Sequence, residues 1–294
     1  MKNTDKRSRG EEMIELDSGK YTLVRPLLDL AEINTLFART VLEQKITGKV
    51  YTDDADNPRA YYIAHPYGMS LVLGDTGNDA FIRAVSEYIT NQNGSRRTAE
   101  WLQADPAGEW TGVVDSIMAS HNSAAGLDAG LQEEAGSRVI QRNTRVNFSL
   151  DRTAFSAAKK ASGRQPAHPV PMTGEHFTAL DQGVVPRFFW RDAAHFTAEG
   201  AGFVLLENGE IAAAAFSSCL SGGQLEIGIE TMPAHRGKGC AFAASLALIE
   251  YCLDRGLESV WACRLENTGS YRLAQKLGFR PVRTLPYYRL AYET

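Results

Sequence analysis

The sequence predicts an α/β fold of the α+β kind: a mixed, mostly antiparallel central sheet flanked by helices. Three observations predict it. Short alternating apolar runs are separated by turn signals, the strongest being Asn208-Gly209 between runs at 202–206 and 211–217. Segments with apolar residues at helical spacing fall between these runs rather than collecting at one end of the chain. The same order also occurs twice: helix, hairpin strands, third strand, helix, then a strand bearing Trp101 in the first half and Trp261 in the second.

Residues 1–18 are polar and charged and read as a disordered lead. Over 24–42, Leu27, Leu28, Leu30, Ile33, Leu36, Phe37, Val41 and Leu42 follow helical spacing, with Pro26 near the start, and predict one amphipathic helix. Strands are expected at 49–52, 59–65 and 67–74, with a turn at 53–58. A helix over 80–90 can be capped by Asn78 or Asp79. A strand at 100–104, a short helix at 111–118, and one long strand or a strand pair over 138–150 complete the first half; 126–136 is Ala/Gly-rich, acidic and of no assigned form. Gly163, Pro166, Pro169 and Pro171 mark 159–173 as a linker between an accessory domain at 19–158 and a second domain at 174–294. That domain should begin with helices at 175–180 and 186–196. The hairpin, a strand at 224–231, a long helix from 239 to 254 ending at Gly256, a strand at 259–264, a short helix and two final strands at 280–284 and 287–292 should follow.

A chain of 294 residues is long enough for about two domains. The net charge of −4 argues against a nucleic-acid partner, which needs a concentrated basic surface. Cys219, Cys240, Cys252 and Cys263 form no Cys-x-x-Cys pair and no His lies at zinc-ligand spacing, so we expect buried thiols and no metal. No apolar leader follows the basic N-terminal residues, and the apolar run at 240–249 is too short for a bilayer; a cytoplasmic protein without membrane contact is expected.

The stretch MPAHRGKGCAF at 232–242 follows a predicted strand and opens the long helix. Gly237 and Gly239 allow backbone N–H groups to converge, the helix N-terminus adds partial positive charge, and Arg236 and Lys238 add full charges: together, a phosphate-binding turn. Neither the Walker pattern nor the dinucleotide G-x-G-x-x-G fits it. Arg236-x-x-Gly239-x-Ala241 resembles the Q/R-x-x-G-x-G/A signature of the GNAT superfamily of acyl-CoA N-acyltransferases. Downstream, Asn267, Ser270, Leu273, Lys276, Gly278 and Phe279 match a second GNAT element. The resemblance spans about 177–292 and implies a GNAT fold in the C-terminal half. The first half carries Gly74-Asp-Thr-Gly77 where the turn should be, and reads either as a degenerate GNAT-like copy that lost cofactor binding or as an unrelated α+β cap.

By resemblance, the activity is transfer of an acetyl group from acetyl-CoA to an amine. The amides of Gly237, Lys238, Gly239, Cys240 and Ala241, with Arg236, would hold the diphosphate. Free strand amides at Ile229, Glu230 and Thr231 would hold the pantetheine and thioester carbonyl, with Asn267 and Ser270 opposite. An alkylammonium must lose a proton before attacking. Glu226 and Glu230, two even steps apart on one strand face, are the candidate bases; His195, His235 and Asp192 are weaker candidates. Ala274 stands where many GNATs place a Tyr acid. Trp190 and Asp192, with Glu226, are expected to wall a small-molecule amine, an aminoglycoside being the first choice for an acidic cleft. The alternatives are a non-catalytic acyl-CoA sensor and a protein Lys or N-terminal acetyltransferase.

Overall fold

The computed structural model describes residues 13–92, 94, 96–124, 138–162 and 168–292. The first half contains β1 (Ile14–Glu15), α1 (Arg25–Leu30), α2 (Leu36–Leu42), β2 (Lys49–Thr52), β3 (Ala60–His65), β4 (Met69–Gly74), α3 (Asp79–Ile89), β5 (Trp101–Ala104), α4 (Trp110–Ala124) and β6 (Gln141–Leu150). Next comes α5 (Arg152–Ala161), then β7 (Val170–Pro171), α6 (Gly174–Ala179), α7 (Ala193–Glu199), β8 (Gly202–Glu207), β9 (Glu210–Ser221) and β10 (Gln224–Thr231). The chain ends with α8 (Cys240–Asp254), β11 (Glu258–Arg264), α9 (Thr268–Lys276) and β12 (Phe279–Arg289). Among the described residues no helix is long and apolar enough to cross a membrane.

These strands form one sheet in the order β1-β2-β3-β4-β5-β12-β6-β11-β10-β9-β8-β7. Only β4–β5 and β10–β11 pair in parallel; the other pairs are antiparallel. Each half runs three antiparallel strands, a helix, a parallel strand, a helix and a last strand, so the repeat read from the sequence is a repeat of fold. The two last strands are exchanged. β6 lies between β11 and β12, and β12 reaches β5 through Tyr288 and Arg289. Pairing therefore crosses the boundary that the linker suggested.

One face of the sheet packs Leu28, Phe37, Phe177 and Phe196 of α1, α2, α6 and α7 around Ile63, His65, Phe189 and Phe216. On the other face, Ile249 of α8, Ala274 of α9 and Phe155 of α5 cover the second half, and Phe81 of α3 and Trp110 of α4 cover the first.

Several elements differ from expectation. The helix over 24–42 is two helices, because Ala31 turns extended (ψ 118°) and Asn34 Oδ1 accepts from Leu36 N. The helix over 186–196 is a 3-10 turn at Pro186–Phe188 followed by α7, whose start is set by Asp192 accepting from His195 N. The two final strands are one, with a bulge between Pro281 and Arg283 that accommodates a residue lacking an N–H. Part of the expected disordered lead is a strand, since β1 at Ile14–Glu15 pairs with β2, and residues 1–12 lie outside the described residues. The expected linker starts inside α5, which the sequence reading missed although Asp151 caps it through Thr153 N and Ala154 N. The stretch at 126–136 lies outside the described residues.

Two positions yield stability predictions. Gly278 has φ +91°, and a Cβ there would stand 2.5 Å from Phe155 N, where α9 ends against α5. Gly278→Ala should destabilise by about 1–3 kcal/mol, read as a lower urea midpoint at unchanged m. Burial depresses the His65 imidazole from 6.5 to about 3. Between those values the unfolded chain takes up a proton that the folded one does not, so stability falls as pH drops through that window, by at most about 1.4 kcal/mol per unit. His65→Asn keeps an acceptor for Tyr67 N, which bonds His65 Nδ1 at 3.1 Å. This variant should lose less stability between pH 6.5 and 4, as measured by urea unfolding across that range.

Candidate active-site cleft

β10 and β11 pair only at Gln224–Glu258, Leu225–Ser259 and Glu226–Val260. At Glu226 the β9 partner strand carries a bulge at Ser218, whose Oγ donates to Glu226 O at 3.0 Å. Beyond it, residues 227–231 pair with β9 alone and residues 261–264 with β6 alone. The parted strands form the lips of a cleft of about 900 Å³. Ile229, Glu230 and Thr231 lie on one lip, where free backbone groups were expected from the sequence; Asn267 and Ser270 line the other.

The glycine turn sits at the cleft mouth. Gly237 (φ +76°) and Gly239 (φ +85°) are left-handed, and no heavy atom lies within 4 Å of where their Cβ atoms would be. Gly239 is the N-cap of α8 and brings no side chain to the first-turn amides, which stay free for a ligand. Arg236, Gly237, Gly239, Cys240 and Ala241 line the cleft; Lys238 is exposed just outside it. Cys240 points inward and donates to Glu207 Oε1 at 3.6 Å, and burial raises its thiol pKa, so its contribution is its amide. His235 Nδ1 lies 3.0 Å from Glu207 Oε2 and is half-buried, not solvent-facing.

The first half has no such slot. β4 and β5 stay paired from Met69–Trp101 to Val72–Ala104, and Trp110 Nε1 donates to Gly74 O at 3.0 Å. The α3 amides are already taken, because Asn78 Oδ1 accepts from Ala80 N and Phe81 N. Asp79 adds negative charge in the first turn.

The two candidate bases, placed on one face by their spacing, are held differently. Glu226 is 6% exposed; its Oε1 accepts from Arg145 at 3.2 Å, and its buried Oε2 has no partner. Glu230 Oε2 accepts from Val184 N at 2.8 Å, its Oε1 accepts from Thr231 N at 3.1 Å, and Arg236 lies 3.7 Å away. Gly183, at φ +80°, lets that loop close on Glu230; a side chain there would strike the carboxylate. Glu230 is thus a loop anchor.

Trp190, Asp192 and His195 lie outside the cleft. Trp190 is buried in the core, with Nε1 donating to Ser217 O at 2.6 Å, and Asp192 caps α7; neither lines the cleft. His195 packs edge-on against Trp190 and is also outside. Asn267 Oδ1 is spent on Ser270 N, and Ser270 Oγ accepts from Trp261 Nε1. Ala274 is fully buried and does not reach the cleft.

The structure adds a wall that sequence reasoning missed. Arg264 lies over the Trp101 ring at 4.5 Å, Trp101 stacks on Tyr287 at 5.0 Å, and Arg145 lies 5.0 Å from the Tyr287 centroid. Tyr67 and Phe189, 4.5 Å apart, close the far side. Burial pushes the Tyr287 phenol up to about 12 and raises that of Tyr67. One signal was available: Asn143, Arg145 and Asn147 alternate with Val146 and Phe148, a strand that buries polar groups on one face.

A family model described as GNAT acetyltransferase matches residues 30–288. The chain is 25% identical over 279 residues to an uncharacterized N-acetyltransferase, YdfB, of Bacillus subtilis, covering 93% of this chain and 97% of that protein. A GCN5-related N-acetyltransferase-like protein from Streptococcus suis superposes with a TM-score of 0.66 at 19% identity, covering 93% of this chain and 99% of that one. A tandem GNAT protein from the clavulanic acid biosynthesis pathway superposes with a TM-score of 0.57 at 12% identity, covering 95% and 97%. The structural likenesses speak for the fold, and the match across 30–288 speaks for kinship: the chain belongs to the GNAT acetyltransferase family.

Proposed function

We propose that this protein transfers an acetyl group from acetyl-CoA to the primary amine of a small molecule. The observation that carries the reading is the uncapped α8 N-terminus, with two left-handed glycines facing open space where β10 parts from β11. Amides at 237–241 would hold the diphosphate, with Arg236, Arg272 and Lys276 supplying positive charge at the rim. Of the strand amides expected to hold the pantetheine arm, that of Thr231 is spent on Glu230 Oε1, so Ile229 and its neighbours on that lip, facing Asn267 and Ser270, would hold it. Bound there, acetyl-CoA supplies an acetyl thioester to a free amine.

Glu226 is the better of the two candidate bases. Glu226 lines the cleft; Arg145 fixes one of its oxygens, and the other, Oε2, is buried with no partner and would be the one to take the proton, directly or through water admitted with the substrate. Glu230 has both oxygens engaged. With Ala274 in the core, no phenol stands where the family places its acid. None is required for a thiol leaving group, whose pKa of about 8.5 lets it depart as thiolate.

The acceptor wall bears on substrate. A polycationic aminoglycoside would suit surplus acid, yet Glu226 is paired with Arg145, and Glu230 with Arg236. We therefore keep the small amine and set the aminoglycoside aside. A protein substrate would need a groove open at both ends, and Tyr67, Met69 and Trp101 of the first half wall this cleft. The uncapped α8 turn would serve a non-catalytic acyl-CoA sensor as well; the unpaired Glu226 oxygen favours catalysis.

Two variants test this. Ala241→Glu places a carboxylate in the first turn of α8, where it stabilises a helix but repels a diphosphate. Thermal stability should hold or rise while acetyl-CoA affinity, by calorimetric titration, falls at least about tenfold. Absence of saturable acetyl-CoA binding to the unmodified protein overturns the reading. Glu226→Gln should lower thiol release at pH 7 by about 100-fold with acetyl-CoA affinity unchanged. Its deficit should shrink as pH approaches the acceptor amine's own pKa. A deficit that does not change with pH removes Glu226 as base.

A further inference from the structure

The acceptor end of the cleft holds more positive charge than the protein itself neutralises. Arg145 and Arg264 are directly opposite each other on β6 and β11. Like charges facing each other across an antiparallel pair repel, and a guanidinium cannot shed its charge. Only one carboxylate answers them. Glu226 pairs with Arg145, both side chains being 7% exposed, and among the described residues no carboxylate lies within 4 Å of Arg264. Arg264 rests instead on the Trp101 ring. Arg145 Nε is buried without a hydrogen-bond partner, an unmet donor on a side chain more than nine-tenths buried. Arg145 and Arg264 both line the cleft, on the sheet face that carries Glu226, because Glu226 is level with Val260 and even steps along β11 lead to Arg264.

We infer that the acceptor is a small amine that also carries a carboxylate, and that Arg264 is the residue that selects it. The carboxylate lies against Arg264; Arg145, directly opposite it on β6 and also lining the cleft, adds positive charge beside that end. The amine is left on the Glu226 side, where Oε2 is unpaired. A bidentate guanidinium–carboxylate pair in a partly desolvated site gives strong discrimination, because an amine lacking the carboxylate leaves the Arg264 charge unanswered. The Tyr67, Phe189, Trp101 and Tyr287 rings accept the rest of the molecule. No deprotonation or acyl step is added to the one already described, on which this inference rests.

The test uses the full-length protein and the twenty standard amino acids, each matched to the amine left by removing its carboxylate. Calorimetric titration without acetyl-CoA reads acceptor binding, and thiol release with acetyl-CoA reads turnover. At least one amino acid should bind at least tenfold more tightly than its decarboxylated partner. In Arg264→Gln that preference should fall to within twofold, and Arg264→Lys, which keeps the charge but loses the fork, should give an intermediate value. Folding of each variant is checked by its melting temperature and acetyl-CoA affinity. A preference that survives Arg264→Gln overturns the inference. So does equal or better binding of the decarboxylated amines, binding by no amino acid in the set, or an Arg264→Gln protein whose defect is confined to acetyl-CoA affinity. Arg264-dependent binding without thiol release would uphold the carboxylate site and sink the acetyl-transfer reading. Thiol release from decarboxylated amines at equal efficiency would do the reverse.

Discussion

The site depends on one break in a ladder. β10 and β11 hold together through Glu226 and Val260 and then part. Backbone groups in a sheet interior normally pair with a neighbouring strand, and leaving them open is costly unless something else meets them. Here each lip keeps one neighbour, β9 for residues 227–231 and β6 for residues 261–264. The slot is therefore rigid on both sides while its inner edge stays open. The Ser218 bulge lies beside the point of parting, where an extra residue bends a strand.

Two halves of like fold use the same scaffold in opposite ways. In the second, the helix after the third strand starts on a glycine and leaves its amides free. In the first, Asn78 caps the equivalent helix, β4 stays paired to β5, and Trp110 bonds the strand end. The first half instead supplies walls: Tyr67, Met69, Trp101 and Arg145 all line the cleft of the second. Exchange of β6 and β12 makes that possible, since it brings Arg145 next to Arg264 and Tyr287 next to Trp101.

Charge in the cleft is arranged in layers. At the mouth, helix amides and exposed cations face outward. Deeper, both oxygens of Glu230 are engaged, by Val184 N and Thr231 N, and Arg236 lies 3.7 Å away. Deepest, Glu226 and Arg145 neutralise each other in a desolvated setting where either alone would be expensive, and Arg264 is the surplus.

Local chemistry was legible in the residues themselves. The Asn208-Gly209 hairpin, the glycine turn into α8 and the Asn78 cap each depend on neighbours within a few positions, and the repeat follows from order alone. The fold class could be read from such signals because turns and caps are decided over short stretches, whereas the slot was expected only from the resemblance to the GNAT family. The linker, the single helix over 24–42 and the substrate role of Trp190 could not. A Pro-rich segment does not reveal which strands pair across it, Asn34 breaks a helix by a local bond that competes with an otherwise continuous apolar spacing, and an aromatic at helical spacing looks the same in a core as in a wall. Arg145, Trp101, Arg264 and Tyr287 meet only because two strands cross between halves, a long-range pairing with no sequence neighbour to announce it. The sequence by itself determined the glycine turn into α8, which is local, and the twofold order of elements, which needs only the succession of local signals along the chain. Only the tertiary structure decided which carboxylate keeps an oxygen without a partner and which guanidinium is left without a carboxylate, because those are properties of neighbours brought together by the sheet.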